Sequence, residues 1–426
     1  MKYKNLIPVD YIKNLTKSDE GKLLLSNFVA LSVLQVAGFV FPLITMPYLA
    51  RTIGVDGFGR IAFGASVIAY FQTVVDWGFK YTAVRDIAKN KDDSRLVSKI
   101  FMNVMSSRVL LMLASAVLLE ILILFIPLFK DNQAVLWASF SLIPGYILFP
   151  DWFFQAVEKM KYITIMNFLS KLLFVALVFV VITKREDYLY EPLLTALGYL
   201  ISGIISTIYA VKKFKLRIYI PTIHEIIETM REGCNVFLTQ FIPTLYNNLS
   251  VILLSTFWGQ TATGLFNSGY KFINLSEQFT NVLSRTFFPF LARRIDKHSF
   301  YVKITCVFSI AMCVFLFVSA DWLIDFFYTE EFKESARLLR LMSITPFFLF
   351  LINTYGTNGL ILLGGEKVLR NIIMYCSIFG AVFACVSVYY FSYMGVVATL
   401  VTVWGVRGLL TYLFCKKFSC KSKQRI

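Results

Sequence analysis

The sequence has few of the residues on which most catalytic and metal sites depend. Its 426 residues include only two histidines, and its seven cysteines form no C-x-x-C pair. No nucleophile elbow and no H-E-x-x-H pattern occurs either. We therefore expect no metal site, no cofactor and no enzymatic activity, and we interpret the cysteines as small apolar side chains.

Charged residues are also scarce, which excludes an ordinary soluble protein. They make up 16% of the chain, whereas 57% of it is hydrophobic, and the mean hydropathy is +0.67. About twelve apolar stretches of roughly 18 to 25 residues are long enough to cross a bilayer. The sequence therefore predicts an all-α polytopic membrane protein with about 12 transmembrane helices.

Acidic residues are fewer than basic ones, so the net charge is +16. The lysines and arginines are concentrated in alternate segments between the apolar stretches, chiefly 1–22, 80–99, 212–231, 291–303 and 416–425. This is the positive-inside pattern, and it predicts that both termini are cytoplasmic. We expect the basic segments to contact anionic lipid headgroups rather than nucleic acid.

The chain contains an internal duplication. Three glycines recur 205 positions later: Gly54, Gly59 and Gly64 return as Gly259, Gly264 and Gly269. Further along, the offset drifts to 208, where Glu158-Lys159 returns as Glu366-Lys367. Each half holds about six apolar stretches, so we expect parallel repeats related by an axis along the membrane normal. Such duplication is typical of transporters whose substrate path lies between the repeats.

These observations predict five segments. A cytoplasmic N-terminal segment (1–22) precedes two six-helix bundles (23–211 and 233–415) around a central cavity. A cytoplasmic amphipathic linker (212–232) joins the bundles, and a basic cytoplasmic tail (416–426) follows them. The loops predicted on the outer side are all short, which argues for a function inside the membrane.

Six polar residues form one stripe along the predicted eighth span. They are spaced by four, three, four, three and four residues, which places them on one face of a helix over about 27 Å. A charge that faced lipid at this depth would cost at least roughly 2.5 to 3.5 kcal/mol. We therefore expect the stripe to line a water-filled cavity. Its members are Asn267, Lys271, Asn274, Gln278, Asn281 and Arg285.

The other half and the neighbouring spans add to this polar surface. The equivalent stripe in the second span is Ser66, Thr73, Asp76 and Lys80, with Ala62 and Ala69 between them. The seventh span adds Gln240, Thr244, Asn247 and Asn248. Further positive charges at or near membrane depth are Arg108, Lys171 and Arg407. A cavity with this positive bias suits an anionic substrate.

Simpler interpretations stay open for individual residues. Asparagines in membrane helices often hydrogen-bond between helices and stabilise the bundle. Arg108, Lys171 and Arg407 could instead extend to the cytoplasmic surface. Pro42 and Pro47 in the first span and Pro243 in the seventh predict kinks at similar depth, and such kinks could be hinges.

Three stretches carry a resemblance to a known family. They are the run FPLITMPYLARTIG from Phe41 to Gly54, the segment Asp76-Trp-Gly-Phe with Thr82-Ala-Val-Arg85-Asp86 after it, and Pro150-Asp-Trp-Phe-Phe-Gln155. Over essentially its whole length the chain resembles the bacterial O-antigen and capsule repeat-unit flippases of the Wzx type, in the multidrug/oligosaccharidyl-lipid/polysaccharide exporter superfamily. The family's usual asparagine or similar small residue is replaced by Lys80 here, so local gating contacts are expected to differ.

The resemblance implies two six-helix bundles that open alternately to either side of the bacterial inner membrane. The implied substrate is an undecaprenyl-diphosphate-linked oligosaccharide, moved to the outer leaflet for O-antigen or capsule biosynthesis. Membrane lipids and other polysaccharide assembly proteins are the implied partners.

For the transport of such a substrate we predict the following roles of the polar residues. The diphosphate is assigned to Lys271, Arg285, Arg108 and Lys171. The cavity lining is assigned to Asn267, Asn274, Gln278, Asn281, Gln240, Thr244, Asn247, Asn248 and Thr73. Gating or ion coupling is assigned to Asp76, Lys80, Arg85 and Glu277.

Two other functions stay open. A multidrug cation antiporter of the same superfamily would share the architecture. Its cavity would be expected to carry an excess of acidic residues, whereas Lys271 and Arg285 are basic. A membrane-embedded glycan polymerase would be expected to have a large external loop, and the sequence predicts none.

Overall fold

The computed structural model describes residues 19–293 and 297–423, without the side chains of 19–37, 39, 243, 245, 247, 289, 290, 292, 293 and 419–423. Parts of three predicted features lie outside the described residues: the N-terminal segment up to residue 18, the side chains of Pro243 and Asn247, and the last residues of the tail.

All regular elements of the described ranges are helices, as the sequence predicts. In lipid, a helix is the simplest way to satisfy every backbone N–H and C=O within one segment. In chain order they are α1 (Asp19–Asp76), α2 (Phe79–Lys89), α3 (Ser94–Phe125), α4 (Pro127–Asp131), α5 (Gln133–Phe140), α6 (Leu142–Leu148), α7 (Asp151–Ala156), α8 (Met160–Val181), α9 (Tyr190–Lys213), α10 (Ile223–Arg293), α11 (His298–Val318), α12 (Ala320–Phe327), α13 (Glu334–Met342), α14 (Thr345–Leu351) and α15 (Glu366–Lys423). Two 3₁₀ turns (Arg185–Leu189 and Glu330–Phe332) and one π-helix (Ile352–Ile361) complete the set.

Three of the long helices are hairpins of two membrane spans. Each contains one non-helical residue: Gly54 in α1, Gly259 in α10 and Ser392 in α15. In α15 the hydroxyls of Ser387 and Thr399 meet across the bend at 2.8 Å. The described ranges contain nine helical stretches that are long and apolar enough to cross a membrane. Counting each hairpin as two spans gives twelve, which confirms the predicted number.

The glycines of the first two hairpins, which are equivalent positions of the repeat, have nearly the same backbone conformation. Gly54 has φ 64° and ψ −176°, and Gly259 has φ 82° and ψ −178°. A positive φ with extended ψ is open to glycine and strained for other residues. The duplication in the sequence is therefore also a duplication in the backbone. We call the side of the bundle that holds Gly54, Gly259 and Ser392 the hairpin end, and the side that holds residues 214–222 the linker end.

The first helix of each half packs against the other half. Leu49 and Ile53 of α1 belong to the same buried cluster as Phe272 and Leu400 of the C-terminal half. At the linker end, the Trp77 indole stacks on Phe237 at 4.2 Å and donates a hydrogen bond to the carbonyl of Met230. Residues 223–232, predicted as part of a surface linker, form the first turns of α10. The two halves thus share a core instead of meeting only at a loop.

The outer surface of the bundle is apolar, as a bilayer requires. Leu124, Val180, Val307 and Val318 are each about 70% exposed on their helices (69%, 74%, 70% and 73%). A soluble protein would bury such side chains, whereas here they meet hydrocarbon. Polar groups are accordingly directed inward, so a binding site for a polar ligand is expected in the interior of the bundle.

Candidate functional site: two chambers between the repeats

A polar chamber of about 360 Å³ lies between the two halves, toward the hairpin end. Its walls come from α1 and α9 of the first half and from α10 and α15 of the second. Amides, hydroxyls and aromatic rings alternate with aliphatic side chains on these walls. The polar and aromatic members are Phe58, Ser66, Glu191, Tyr246, Asn248, Ser250, Phe266, Asn267, Tyr270, Lys271, Asn274 and Thr399.

Equivalent residues of the two repeats face each other across this chamber. Four pairs at the 205-residue offset contribute both members to the wall: Ile61 and Phe266, Ala62 and Asn267, Ala65 and Tyr270, Ser66 and Lys271. In each pair the second half supplies the larger or more polar side chain. The chamber is therefore built on the symmetry of the duplication, while its chemistry comes mainly from α10.

Lys271 is the cation of this chamber. Its ammonium nitrogen lies 4.3 Å from the centroid of the Phe58 ring, which belongs to the other half. A cation over an aromatic face is stabilised electrostatically without losing its ability to bind an anion on the open side. Glu191, at the start of α9, lines the same chamber and acts electrostatically on Lys271. The described residues form no direct ion pair between these two groups.

The hairpin end is closed by backbone contact between the repeats. A β-carbon added to Gly59 would lie 1.8 Å from the carbonyl oxygen of Gln260, and one added to Gly264 would lie 2.0 Å from that of Val55. Real β-carbons never approach an oxygen so closely, so only glycine fits at either position. Gly59 and Gly264 are equivalent repeat positions, and they lie close in the chain to Phe58 and Phe266 of the chamber wall. They seal it on this side.

Polar contacts reinforce this closure. Glu331 of the second half forms an ion pair with Arg185 of the first, and its carboxylate accepts a hydrogen bond from the Val55 N–H at 3.3 Å. The Gln260 amide donates to the Asn132 carbonyl oxygen at 3.3 Å. Because Arg185 and Glu331 are 69% and 37% exposed, their pair contributes about 1 kcal/mol or less. These contacts therefore stabilise the closed hairpin end slightly, but they are too weak to keep it closed by themselves.

The pair of Arg185 and Glu331 predicts that reversing either charge has a modest effect and that reversing both compensates for it. Arg185→Glu and Glu331→Arg should each destabilise the closed hairpin end, because each brings two like charges together. Hydrogen exchange of the backbone around residues 53–60 should rise by a few-fold in either single variant. The double reversal should bring exchange back toward the wild-type rate. If the double variant exchanged faster than both single variants, the pair would not stabilise the closure.

A second chamber of about 320 Å³ lies further toward the linker end. Its walls come from the second arm of α1, from α6 and from α10, and the residues are Ala69, Gln72, Thr73, Asp76, Gly78, Tyr146, Gln240 and Thr244. The stripe predicted on the second span is thus divided between the chambers, with Ala62 and Ser66 in the first and Ala69, Thr73 and Asp76 in the second.

Arg108 does not line either chamber. It is 1% exposed, pairs with the carboxylate of Asp76 and lies 5.5 Å from the ring centroid of Tyr146. Its Nη2 pairs with Asp76 from within the first half, whereas its Nε and Nη1 are buried with no hydrogen-bond partner among the described residues. The assignment of Arg108 to a bound diphosphate stays a prediction, and in this structure the side chain is paired with Asp76.

The other predicted cations are distributed along the bundle and are not gathered at one point. Lys171 and Gln278 meet beside Gly38, where an added β-carbon would lie 3.6 Å from the ammonium nitrogen and 3.2 Å from the amide oxygen. Arg285 is exposed near the linker end of α10. Asn281 accepts a hydrogen bond from Asn353 of the π-helix at 3.0 Å. The predicted stripe therefore lines the first chamber only as far as Asn274.

The residues assigned to gating or coupling form local charge pairs. Lys80 pairs with Asp151 at 3.2 Å, and Arg85 pairs with its neighbour Asp86 on α2 at 2.7 Å. Glu277 interacts with Arg407 and with Asn281 in the second half. Asn248 lines the first chamber and donates to the Thr244 carbonyl at 3.3 Å.

Glu191 is the main functional residue that sequence reasoning missed. It stands between Tyr190 and Pro192, immediately before a predicted span, where an acidic residue is normally interpreted as an interface group. The structure places it in the first turn of α9 and on the chamber wall. The only signal in the sequence was its 208-residue relation to Thr399, which lines the same chamber.

Two solved structures of membrane transport proteins have a similar fold. A lipid II flippase, MurJ, in an inward closed conformation matches with a TM-score of 0.72 and 14% identity, over 91% of this chain and 87% of that one. A multidrug resistance MATE family transporter of the MOP superfamily, in an inward-facing conformation, matches with a TM-score of 0.63 and 14% identity, over 89% and 96%. The chain thus shares the fold of these proteins, and the predicted fold class, an all-α multi-pass membrane protein, is confirmed.

The sequence comparison narrows this class to a family. The family model described as "Polysaccharide biosynthesis protein" matches residues 24–295, and the chain belongs to that family. A protein of Escherichia coli (strain K12) named "Putative O-antigen transporter" is 26% identical over 82% of this chain and 86% of its own length. The family resemblance stated from the sequence motifs is therefore confirmed.

Proposed function

We propose that the protein is a flippase that moves undecaprenyl-diphosphate-linked oligosaccharide repeat units across the bacterial inner membrane. The observation that carries this proposal is the first chamber, a polar space within the membrane that holds Lys271 and is walled by both halves. The names of the O-antigen transporter relative and of the lipid II flippase support the same substrate class.

The chamber has the chemistry that such a substrate needs. A sugar headgroup with a diphosphate cannot enter hydrocarbon, because its hydroxyls and charges would lose their water partners. Lys271 would hold the diphosphate, and the amides of Asn248, Asn267 and Asn274 would hydrogen-bond the sugar hydroxyls. Tyr270 offers an aromatic face to the sugar rings. The prenyl tail would remain in lipid between the bundles.

The remaining cations would act along the route and not in the chamber. Arg285, exposed near the linker end, would meet the diphosphate as it enters. Lys171 would interact with it between the halves, beside Gly38. We place the linker end in the cytoplasm, following the positive-inside distribution. Both termini are then cytoplasmic, and the closed hairpin end faces outward.

The membrane potential is sufficient to drive transport in this direction. Moving two negative charges outward across an inside-negative membrane is favourable by roughly 4 to 5 kcal/mol per 100 mV if the protein charges stay fixed. Asp76 is neutralised by Arg108, so a proton or cation gradient acting on Asp76 is not required. Coupling through Glu277 would be the remaining route for an ion gradient.

A deletion strain and a vesicle assay test the proposal. Loss of the protein should remove surface polysaccharide and leave lipid-linked repeat units on the cytoplasmic side. Reconstituted protein should flip the lipid-linked substrate under an imposed potential without an ion gradient. Accumulation of unpolymerised units on the outer side would instead indicate the glycan polymerase, an enzyme, and would refute transport.

The multidrug antiporter shares the fold but fits the chamber less well. A site for organic cations would be expected to carry an excess of acid, whereas this chamber has one ammonium and one carboxylate, from Lys271 and Glu191. Efflux of a cationic dye by the purified protein, unaffected by the Lys271→Ala change, would favour the antiporter. We expect no such efflux.

A further inference from the structure

Among the described residues of the first chamber's wall, one side chain is basic and one is acidic. Each half of the chain supplies one of them. Lys271 projects from α10 of the second half and Glu191 from α9 of the first. No other side chain among the described residues of this wall is basic or acidic. Glu191 is in the first turn of its helix, where the dipole alone would favour an acidic residue. The helix dipole does not explain why Glu191 lines the same chamber as Lys271 and acts electrostatically on it.

An isolated ammonium inside the membrane is costly when its anion is absent. A carrier that releases a diphosphate on one side must return empty, and during that return Lys271 would be an uncompensated charge in a low-dielectric space. Glu191 can supply the missing negative charge. The two groups form no direct ion pair in the described chain, and both line the open space of the chamber, where a ligand phosphate would bind.

We propose that Glu191 is a positioning residue that replaces the substrate's diphosphate as counter-ion of Lys271 when the carrier is empty. This inference rests on the proposed flippase function. A diphosphate, with two negative charges, competes successfully with a single carboxylate that is held at a distance. On release, Glu191 again compensates Lys271, and the empty protein can close the hairpin end. The carboxylate thus weakens binding but speeds the return step.

The geometry of closure supports this assignment. Glu191 and Phe58 belong to the first half, so both approach Lys271 when the halves meet at Gly59 and Gly264. Opening the hairpin end would move them away from Lys271 and leave the ammonium open to a phosphate or to water. Counter-charge and closure are therefore coupled through the same contact between halves.

The test separates net transport from exchange. Wild-type protein, Glu191→Gln, Glu191→Asp and the control Glu186→Gln, an exposed glutamate of the neighbouring 3₁₀ turn, are reconstituted as full chains in liposomes. Net flipping and exchange of labelled for unlabelled substrate are measured with a short-chain polyprenyl-diphosphate-linked disaccharide. Binding is measured with the same lipid and with inorganic pyrophosphate.

For Glu191→Gln we expect net flipping to fall about tenfold while exchange stays within about threefold, because exchange does not need the empty return. Binding of both probes should tighten about tenfold, since the competing carboxylate is gone. Glu191→Asp should recover part of the net rate, and Glu186→Gln should behave as wild type.

Other outcomes overturn the inference. Equal loss of net flipping and exchange, or weaker binding of the lipid, would mean that Glu191 contacts the substrate or only supports the fold. Normal net flipping in Glu191→Gln would mean that no counter-ion is needed. Failure of the wild-type protein to move the lipid at all would instead refute the proposed function. That outcome is measured on the wild-type protein, whereas the inference about Glu191 is tested on the variants.

Discussion

Replacing Lys271 by alanine is expected to abolish flipping without lowering the amount of protein in the membrane. Among the described residues of the first chamber's wall, Lys271 carries the only ammonium, and losing one partner of a desolvated charge contact costs about 2 to 5 kcal/mol. Flipping of the lipid-linked substrate in vesicles should therefore fall at least about 30-fold. Folding should survive, because the lysine lines a cavity and forms no ion pair with another described residue.

Two matched variants make this result specific. Lys271→Arg keeps the charge and should retain measurable flipping. Lys303→Ala removes an exposed lysine of α11, outside both chambers, and should leave the rate unchanged. Normal flipping by Lys271→Ala, at wild-type expression, would remove the lysine from the site and leave the proposed mechanism without its anion contact.

Adding one methyl group at Gly264 is expected to have the second largest effect. The new β-carbon would clash with the Val55 carbonyl, a backbone atom that cannot rotate away. Overpacking of this kind costs about 1 to 3 kcal/mol, and here the strain is relieved by separating the halves at the hairpin end. Net flipping by Gly264→Ala should fall about tenfold, because the closed state becomes less populated.

Hydrogen exchange distinguishes this effect from general destabilisation. In Gly264→Ala the backbone around residues 48–62 and 255–268 should exchange faster, while the rest of the bundle should keep its protection. Gly405→Ala is the control, because its β-carbon would meet only the ring of Phe348 at 3.3 Å, and a side chain can adjust. Unchanged flipping and exchange in Gly264→Ala would show that the glycine contact does not control closure.

The fold could be predicted because its determinants are local. Apolar length sets the number of spans, and glycine at Gly54 and Gly259 allows the turn that reverses each hairpin. Helical periodicity also predicted that Asn267, Lys271 and Asn274 share a face, and all three line the first chamber.

The rest of the site depends on neighbours that periodicity does not specify. Beyond Asn274 the same face of α10 is covered by α1 near Gly38 and by the π-helix, where Asn353 bonds Asn281. The pairing of Arg108 with Asp76 joins α3 to α1, and nothing in the spacing of either helix indicates it. The roles of all these residues in transport stay predictions until the variants are measured.

The chamber also explains what the fusion of two copies made possible. Ser66 and Lys271 are repeat equivalents, as are Glu191 and Thr399, and all four reach the same space. A pair of identical subunits would have to present either two ammonium groups or none, and likewise two carboxylates or none. A single polypeptide is free of that restriction, so one repeat can carry the cation and the other its anion. An ancestral twofold assembly thereby becomes a carrier whose two halves differ in charge.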